Sequence, residues 1–490
     1  MTINEKTKKL YSILAISLVI MLTIGNCPTF GSITRIGMRA LGVFAGSIFC
    51  WFCGQIGWGS VLGMIMAALF IPENNFTTIF TTAFGSMNVM IMIWGSIFCY
   101  CLRKFEVIEY LSQFFLSKKW ATKSPWHMLI ILWIITVINS ALVVVTMATV
   151  LISWNIYYNI AEKAGIKRKG KFNAFSMVSI AVFSSISIPL MPYSSGVWFP
   201  VNLMLLIDPT IEVNIIKICS TSWILAIAFF IIMAVIGKLM MKTTAWKKEL
   251  DGISLDGLIE TSEVKMSKKV KWGFFYTILL VIVMVIPSIF PNLTIINDYI
   301  NRMTTFGAFV IVVLLMCLTT VDGERVISIE SAAKEGVDWG MYFMFGLAMT
   351  VSGILVGESS GLVPTIQTAF TSIIGSSGNA FTVPLVVLGI GLIITNCINN
   401  AIAVQLVVPI ICSILVGLGV NPAYIIGLGG VLLNYGNILP SGSPVGALLH
   451  GNSEWLTSKQ VYLWASVGAI VTYLAFALIA LPYACLIFEL

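Results

Sequence analysis

The chain has 490 residues, of which 58% are hydrophobic and only 10% charged, with a mean hydropathy of +0.97. A soluble domain carries roughly 25% charged residues, and β-barrel strands alternate apolar and polar residues instead of running unbroken, so the composition describes an all-α polytopic membrane protein in a lipid bilayer. The net charge of +7 sits in short loops between apolar runs, which points away from nucleic acid as a partner.

From the N-terminus, Lys6, Lys8 and Lys9 precede an apolar run from Leu10 to Gly25 that mimics a signal peptide. No small-residue cleavage site follows it, so it reads as a retained first helix. Cys50 and Cys53 spell a CxxC pair, but in mid-helix, where packing is the expected role over a redox or metal pair. Further apolar runs follow through Val61–Ile71 and Val89–Cys101. At about 20 residues per span, many of the later runs are too short to cross alone.

Two of these short pairs meet at polar interruptions. One is Ile138-Asn139-Ser140 and the other Asn399-Asn400-Ala401. Hydrocarbon cannot solvate an amide or a broken helix, so such breaks persist only where protein or a water-filled cavity satisfies them. They read as re-entrant hairpins at about 127–160 and 383–417, the first opening inward and the second outward. Two further pairs, around Pro189–Pro192 and Pro440–Pro444, read as single crossings broken in the middle. The result is eleven crossings and two hairpins.

The basic clusters Lys6–Lys9, Arg103–Lys123, Lys163–Lys171, Lys238–Lys271 and Arg325–Lys334 all fall on one side of this order. The positive-inside rule makes that side cytoplasmic, with the N-terminus inside and the C-terminus outside a cell membrane. Trp94 recurs as Trp339, Asn139 as Asn400 and Pro192 as Pro444, at offsets of 245, 261 and 252. An odd number of crossings between equivalents makes the repeat inverted. The halves are 1–241 and 272–490, joined by a charged cytoplasmic linker or surface helix at 242–271.

A hairpin tip deep in the protein exposes the N-terminus of its second half-helix, whose free N–H groups hold an anion without Lys or Arg. Asn139 with Ser140, and Asn400 with Asn399, are therefore the site candidates, against the alternative that the amides only bridge packed helices. The broken segments place small and hydroxyl residues around proline, suited to offering carbonyls to an ion; the alternative is a plain proline kink. His127 and His450 are the only histidines and sit at loop edges, so a proton relay, a metal site or an integral membrane enzyme has little support. No nucleotide-binding motif appears, and no cofactor is expected.

The stretches MRALGVFAGSIFCWF, VDWGMYFMFGLAMTVSGI, TNCINNAIAVQLVVPI and NILPSGSPVGALLHG resemble the divalent anion/sodium symporter family of the ion transporter superfamily. The resemblance implies a homodimeric, elevator-type carrier of di- or tricarboxylates or sulfate. Its Ser-Asn-Thr tip signature maps onto the two triplets with Ile138, Asn399 and Ala401 as departures. Its Thr-Pro signature maps onto Met191-Pro192 and Ser443-Pro444. By this mapping substrate falls to Asn139, Ser140, Asn399, Asn400, Pro192, Ser443 and Pro444. A coupling Na+ falls to Asn139, Ser140, Asn399, Asn400, Ser441 and Gly442. The expected function is secondary transport of a small organic anion, a dicarboxylate by default, by sodium symport. The alternatives are a sodium-independent exchanger and a carrier of another solute on the same scaffold.

Overall fold

In the computed structural model, the described residues are 3–490 except 119, 122, 144–145, 254, 256–263, 291, 366–367 and 369–377. The part of the charged linker at 254 and 256–263, and Lys119 of the second basic cluster, lie outside them. Nearly all regular structure is helical. The one exception among the described residues is a hairpin pairing β1 (Thr320–Val321) with β2 (Glu324–Arg325), turned at Asp322 and Gly323, both at positive φ.

The chain opens with α1 (Ile3–Asn26), α2 (Arg35–Phe52), α3 (Ile56–Phe70), α4 (Phe76–Gly85), α5 (Met87–Lys104) and α6 (Val107–Leu116). Glycines let α1 and α2 approach at backbone distance: a Cβ on Gly42 would lie 2.5 Å from the Met21 carbonyl. Ser17 Oγ donates to the Gly46 carbonyl at 2.7 Å across the same seam. Where the lipid outside is as apolar as the side chains, such close backbone packing holds helices together.

Next come α7 (Pro125–Val143) and α8 (Thr146–Ala164), then α9 (Lys171–Ile186), a single 3-10 turn at Ile188–Leu190, α10 (Ser195–Ile207) and the long α11 (Ile215–Met241). Trp133 of α7 is wholly buried against Phe175, Phe183 and Phe230. Its indole N–H donates to Ser179 Oγ at 2.8 Å, which removes the cost of burying that donor.

The expected linker begins as a docked helix, α12 (Thr244–Leu250). Trp246 is buried between Phe172 and Phe175. Glu249 accepts from the backbone N–H groups of Lys171 and Phe172, capping the N-terminus of α9 with a carboxylate.

The second half holds α13 (Lys268–Ile289), α14 (Thr294–Leu318), α15 (Ile329–Gly336) and α16 (Trp339–Val356). It continues with α17 (Thr382–Cys397), α18 (Asn400–Gly417), α19 (Ala423–Leu433), α20 (Pro444–Gly451) and α21 (Ser458–Ala475), which runs on through a π turn into α22 (Leu481–Ile487). The order helix, helical pair, broken helix, long helix thus occurs twice, as α5, α7–α8, α9–α10, α11 and as α16, α17–α18, α19–α20, α21. By length and composition eight helices among the described residues are able to cross a membrane, nine if the pair bent by 63° within α14 is one span. This set and the eleven expected crossings differ in membership: the eight include the hairpin helices α7 and α18, while α3 and the parts of the broken helices are each shorter than 18 residues.

Candidate functional site

α7 and α8 form an antiparallel hairpin, with Thr136 Oγ1 and Ser153 Oγ 2.7 Å apart across it. Its break, however, is not at Asn139. Helix α7 runs through Asn139 and Ser140 to Val143, and α8 starts at Thr146. Both polar side chains stay within a continuous helix and find partners on neighbouring helices, so the polar interruption breaks nothing. Asn139 Nδ2 donates to Ser112 Oγ on α6 at 3.1 Å, and Ser140 Oγ lies 2.7 Å from Ser184 Oγ on α9. Asn139 is fully buried, and its Oδ1 has no hydrogen-bond partner among the described residues. Residues 144–145 between the two helices lie outside the described residues, and Thr146 is the first described residue of the returning helix. Its offset of 254 (400 − 146) agrees with the 252 of Pro192 and Pro444, whereas the 261 of Asn139 does not. That regularity was the available sequence signal for Thr146.

The second tip falls where the sequence places it. Asn399 caps α18, its side chain accepting from Ala401 N at 2.9 Å. Asn400 Nδ2 donates to the Asn434 carbonyl at 2.9 Å, and its Oδ1 accepts from Thr395 Oγ1 at 2.9 Å. Asn396 Oδ1 accepts from Ile438 N at 2.9 Å. These amides splice the tip of the α17–α18 hairpin to the unwound stretch between α19 and α20.

Within that stretch the backbone is crowded. A Cβ on Gly436 would stand 2.2 Å from Asn400 Oδ1 and 2.6 Å from the Gly442 carbonyl. Gly442 and Asn400 therefore meet, with the Asn396 and Gly436 carbonyls beside them, while Ser441 is exposed to one side. Ser443 caps α20 by accepting from Gly446 N at 2.9 Å, and Pro444 supplies the fixed φ of the first helical position.

The first broken segment has several of its carbonyls already in use. Trp198 Nε1 donates to the Pro192 carbonyl at 2.6 Å, Trp223 Nε1 to the Leu190 carbonyl at 2.7 Å, and Ser194 Oγ to the Ile188 carbonyl. Asn437, absent from the sequence-based candidates, joins the two broken segments: its Oδ1 accepts from Ser185 Oγ at 3.1 Å and Ser443 Oγ at 3.4 Å.

A cavity of about 370 Å³ opens beside these elements. Thr146 and Met147 of α8, Tyr193 and Ser195 at the start of α10, and Pro444 of α20 form one side. Residues of α5 from Ile91 to Cys99 and of α16 from Met341 to Phe345 form the other, with Asp338 capping α16 through Met341 N at 3.1 Å. Of the sequence-predicted candidates only Pro444 lines it; Asn139, Ser140, Pro192, Asn399, Asn400, Ser441, Gly442 and Ser443 do not. Ser140 is one step removed, because its partner Ser184 also donates to the Thr146 carbonyl at 3.2 Å. Among the described residues no Lys or Arg lines the cavity, and Asp338 is its one acidic residue. The helices α10, α16 and α20 begin at its wall, where a helix N-terminus carries about half a positive charge, and Thr146, the first described residue of α8, lies beside them.

A family model described as "Citrate transporter" matches residues 48–425. The chain belongs to that family. As a citrate transporter family member it is a multi-pass membrane transporter of anions and not an enzyme. The matched region covers α5, the α7–α8 hairpin, the first broken helix and the α17–α18 hairpin, and ends in α19 before the second unwound stretch. No curated protein matches the chain by sequence. Among solved structures it is similar to the YdaH transporter of Alcanivorax borkumensis, whose crystal structure is described as revealing an unusual topology. That likeness has 12% identity and a TM-score of 0.55, and spans 91% of this chain and 98% of the other, which shows a shared fold.

Proposed function

We propose that this citrate transporter family member is a secondary active carrier of a small di- or tricarboxylate. Citrate is the first substrate to test and dicarboxylates the second. The observation that carries the reading is the cavity where the N-termini of α10, α16 and α20 converge without a basic side chain among the described residues. Aligned N–H groups supply the positive potential a polycarboxylate needs, and the Asp338 carboxylate that caps α16 offsets part of it, which favours release of the anion. Substrate would be held by Thr146, Ser195, Pro444 and the adjoining backbone N–H groups.

Sodium symport is the default coupling that follows from the resemblance to divalent anion/sodium symporters. The cluster of Asn400, Gly442 and the Asn396 carbonyl is the best-supplied place for the ion. The first tip offers less, since its neighbouring carbonyls at Leu190 and Pro192 already accept from indoles. Sodium-independent exchange is the second reading on that observation.

The proposed orientation keeps the N-terminus inside and the C-terminus outside. Its support is that contacts between distant loops join ends on the same side of the eleven-crossing order. Arg168 pairs with Glu454, Lys268 with Asp322 and Lys269 with Glu106 on the basic side. Thr34 N donates to the Ser360 carbonyl, and Lys217 lies over Phe488, on the other. A homodimer and an elevator-like movement of the hairpins and broken helices against α5 and α16 complete the proposal. Uptake of labelled citrate into proteoliposomes, with and without a sodium gradient and with each dicarboxylate as competitor, tests it.

A further inference from the structure

Gln405 lies in α18, five residues past Asn400, and is 3% exposed. Neither its Oε1 nor its Nε2 has a hydrogen-bond partner among the described residues. An amide buried in apolar surroundings with both ends unused is costly, and a chain in lipid has no bulk water to relieve it. The side chain lines a cavity of about 150 Å³ between α18, α2 and α16. Leu41, Phe44, Leu355, Leu406, Pro409 and Ile410 give that cavity apolar walls, and Ser352 and Ser413 add two hydroxyl-bearing side chains. Leu41, Val356, Leu362, Leu406 and Ile410 are only half buried, so the mouth of the cavity is apolar. It shares no residue with the cavity proposed for the transported anion.

We infer that this cavity is a binding site for a small neutral amphiphile that enters from the bilayer. Three properties define the ligand. A space near 150 Å³ is the size that holds one benzene-sized molecule. An apolar mouth, with no charged side chain among the described lining residues, makes entry of an ionised carboxylate costly. An amide with both its donor and its acceptor unpaired selects a head that accepts and donates together, such as a hydroxyl or an un-ionised acid. The bound molecule would contact the outer hairpin through α18 on one side and α2 and α16 on the other, tying those elements together.

The test uses the full chain in lipid nanodiscs and a diazirine analogue of 1-hexanol as photolabel, with adducts mapped by mass spectrometry. Adducts are expected on α2, α16 and α18 peptides around the cavity. They are expected to be blocked by unlabelled 1-hexanol but not by hexane, and to fall about tenfold in Gln405→Met, which keeps the bulk and removes the amide. Leu41→Trp, which fills the cavity while leaving Gln405 in place, is expected to abolish them independently. Adducts spread evenly over lipid-facing helices would overturn the site, leaving water as the partner of Gln405. Equal labelling in Gln405→Met, or equal competition by hexane, would overturn the role of the amide. None of these readouts depends on citrate being the transported solute.

Discussion

Ser185 and Asn437 stand 252 residues apart, the same spacing as Pro192 and Pro444, and their side chains touch: Ser185 Oγ donates to Asn437 Oδ1 at 3.1 Å. Positions that correspond across the two halves can meet only where the halves cross. The last turn of α9 and the second unwound stretch are therefore pinned to each other, by a side chain that is wholly buried. Asn437→Leu should strip Ser185 and Ser443 of their shared acceptor, at a cost of about 1–3 kcal/mol in a buried setting. Thermal unfolding in detergent of the single and double variants with Ser185→Ala measures it. A double-mutant cycle with no coupling would remove the pin.

The register of the first hairpin separates two residues that the sequence treats alike. Asn400 splices its hairpin tip to the second break, whereas Asn139 sits within α7 against Ser112. Asn400→Ala should abolish uptake with the protein still folded. Asn139→Ala should retain citrate uptake and lose thermal stability instead. Thr146→Val, in the wall of the cavity, should raise the KM for citrate. Uptake kinetics on the three purified variants decide the matter, and equal loss in Asn139→Ala and Asn400→Ala would restore the original pairing.

Gly436 has no room for a side chain, because a Cβ there would lie 2.2 Å from Asn400 Oδ1. Gly436→Ala must push the hairpin tip and the unwound stretch apart. Uptake should fall to background while Gly419→Ala, with nothing within 4 Å of its Cβ, changes uptake little; its positive φ makes some loss of stability the expected side effect. Comparable uptake in the two variants would contradict the splice.

Orientation is testable by single cysteines on a cysteine-free background. Lys167→Cys and Lys248→Cys should react only with reagent reaching the cytoplasm, and Thr210→Cys only from outside. Labelling of positions 167 and 210 from the same face would remove the eleven-crossing order.

The sequence made the membrane class, the two hairpins and the two broken helices legible, because each leaves a mark in hydropathy: a short apolar run, a polar tip, a proline with small neighbours. It misplaced the first tip for a physical reason. Asn139 and Ser140 look like a break only when their partners Ser112 and Ser184, which come from other helices, are unseen. Helix α7 continues through Leu142 and Val143, residues as apolar as any helix interior, and Thr146 carries no polar signal stronger than its neighbours. Asn437 and Gln405 were equally silent. The meaning of Asn437 lies in the distant residues it contacts and that of Gln405 in what it fails to contact, and only packing supplies either. The docking of Trp246 and Glu249 onto α9 was hidden by the charge of the surrounding linker.

The central claim is that the convergence of helix N-termini at the α5–α16 face carries a polycarboxylate. Initial rates of labelled citrate uptake into proteoliposomes test it most directly, measured under an imposed sodium gradient, without it, and against an internal load of unlabelled anion. The account predicts saturable uptake above protein-free vesicles in at least one of these conditions, competed by di- and tricarboxylates and not by amino acids. Its coupling arm predicts that sodium helps only weakly in the natural sequence and more in Ala401→Thr, which adds a hydroxyl beside Asn400. No citrate accumulation under any of the three conditions, from protein shown to be folded, would contradict it.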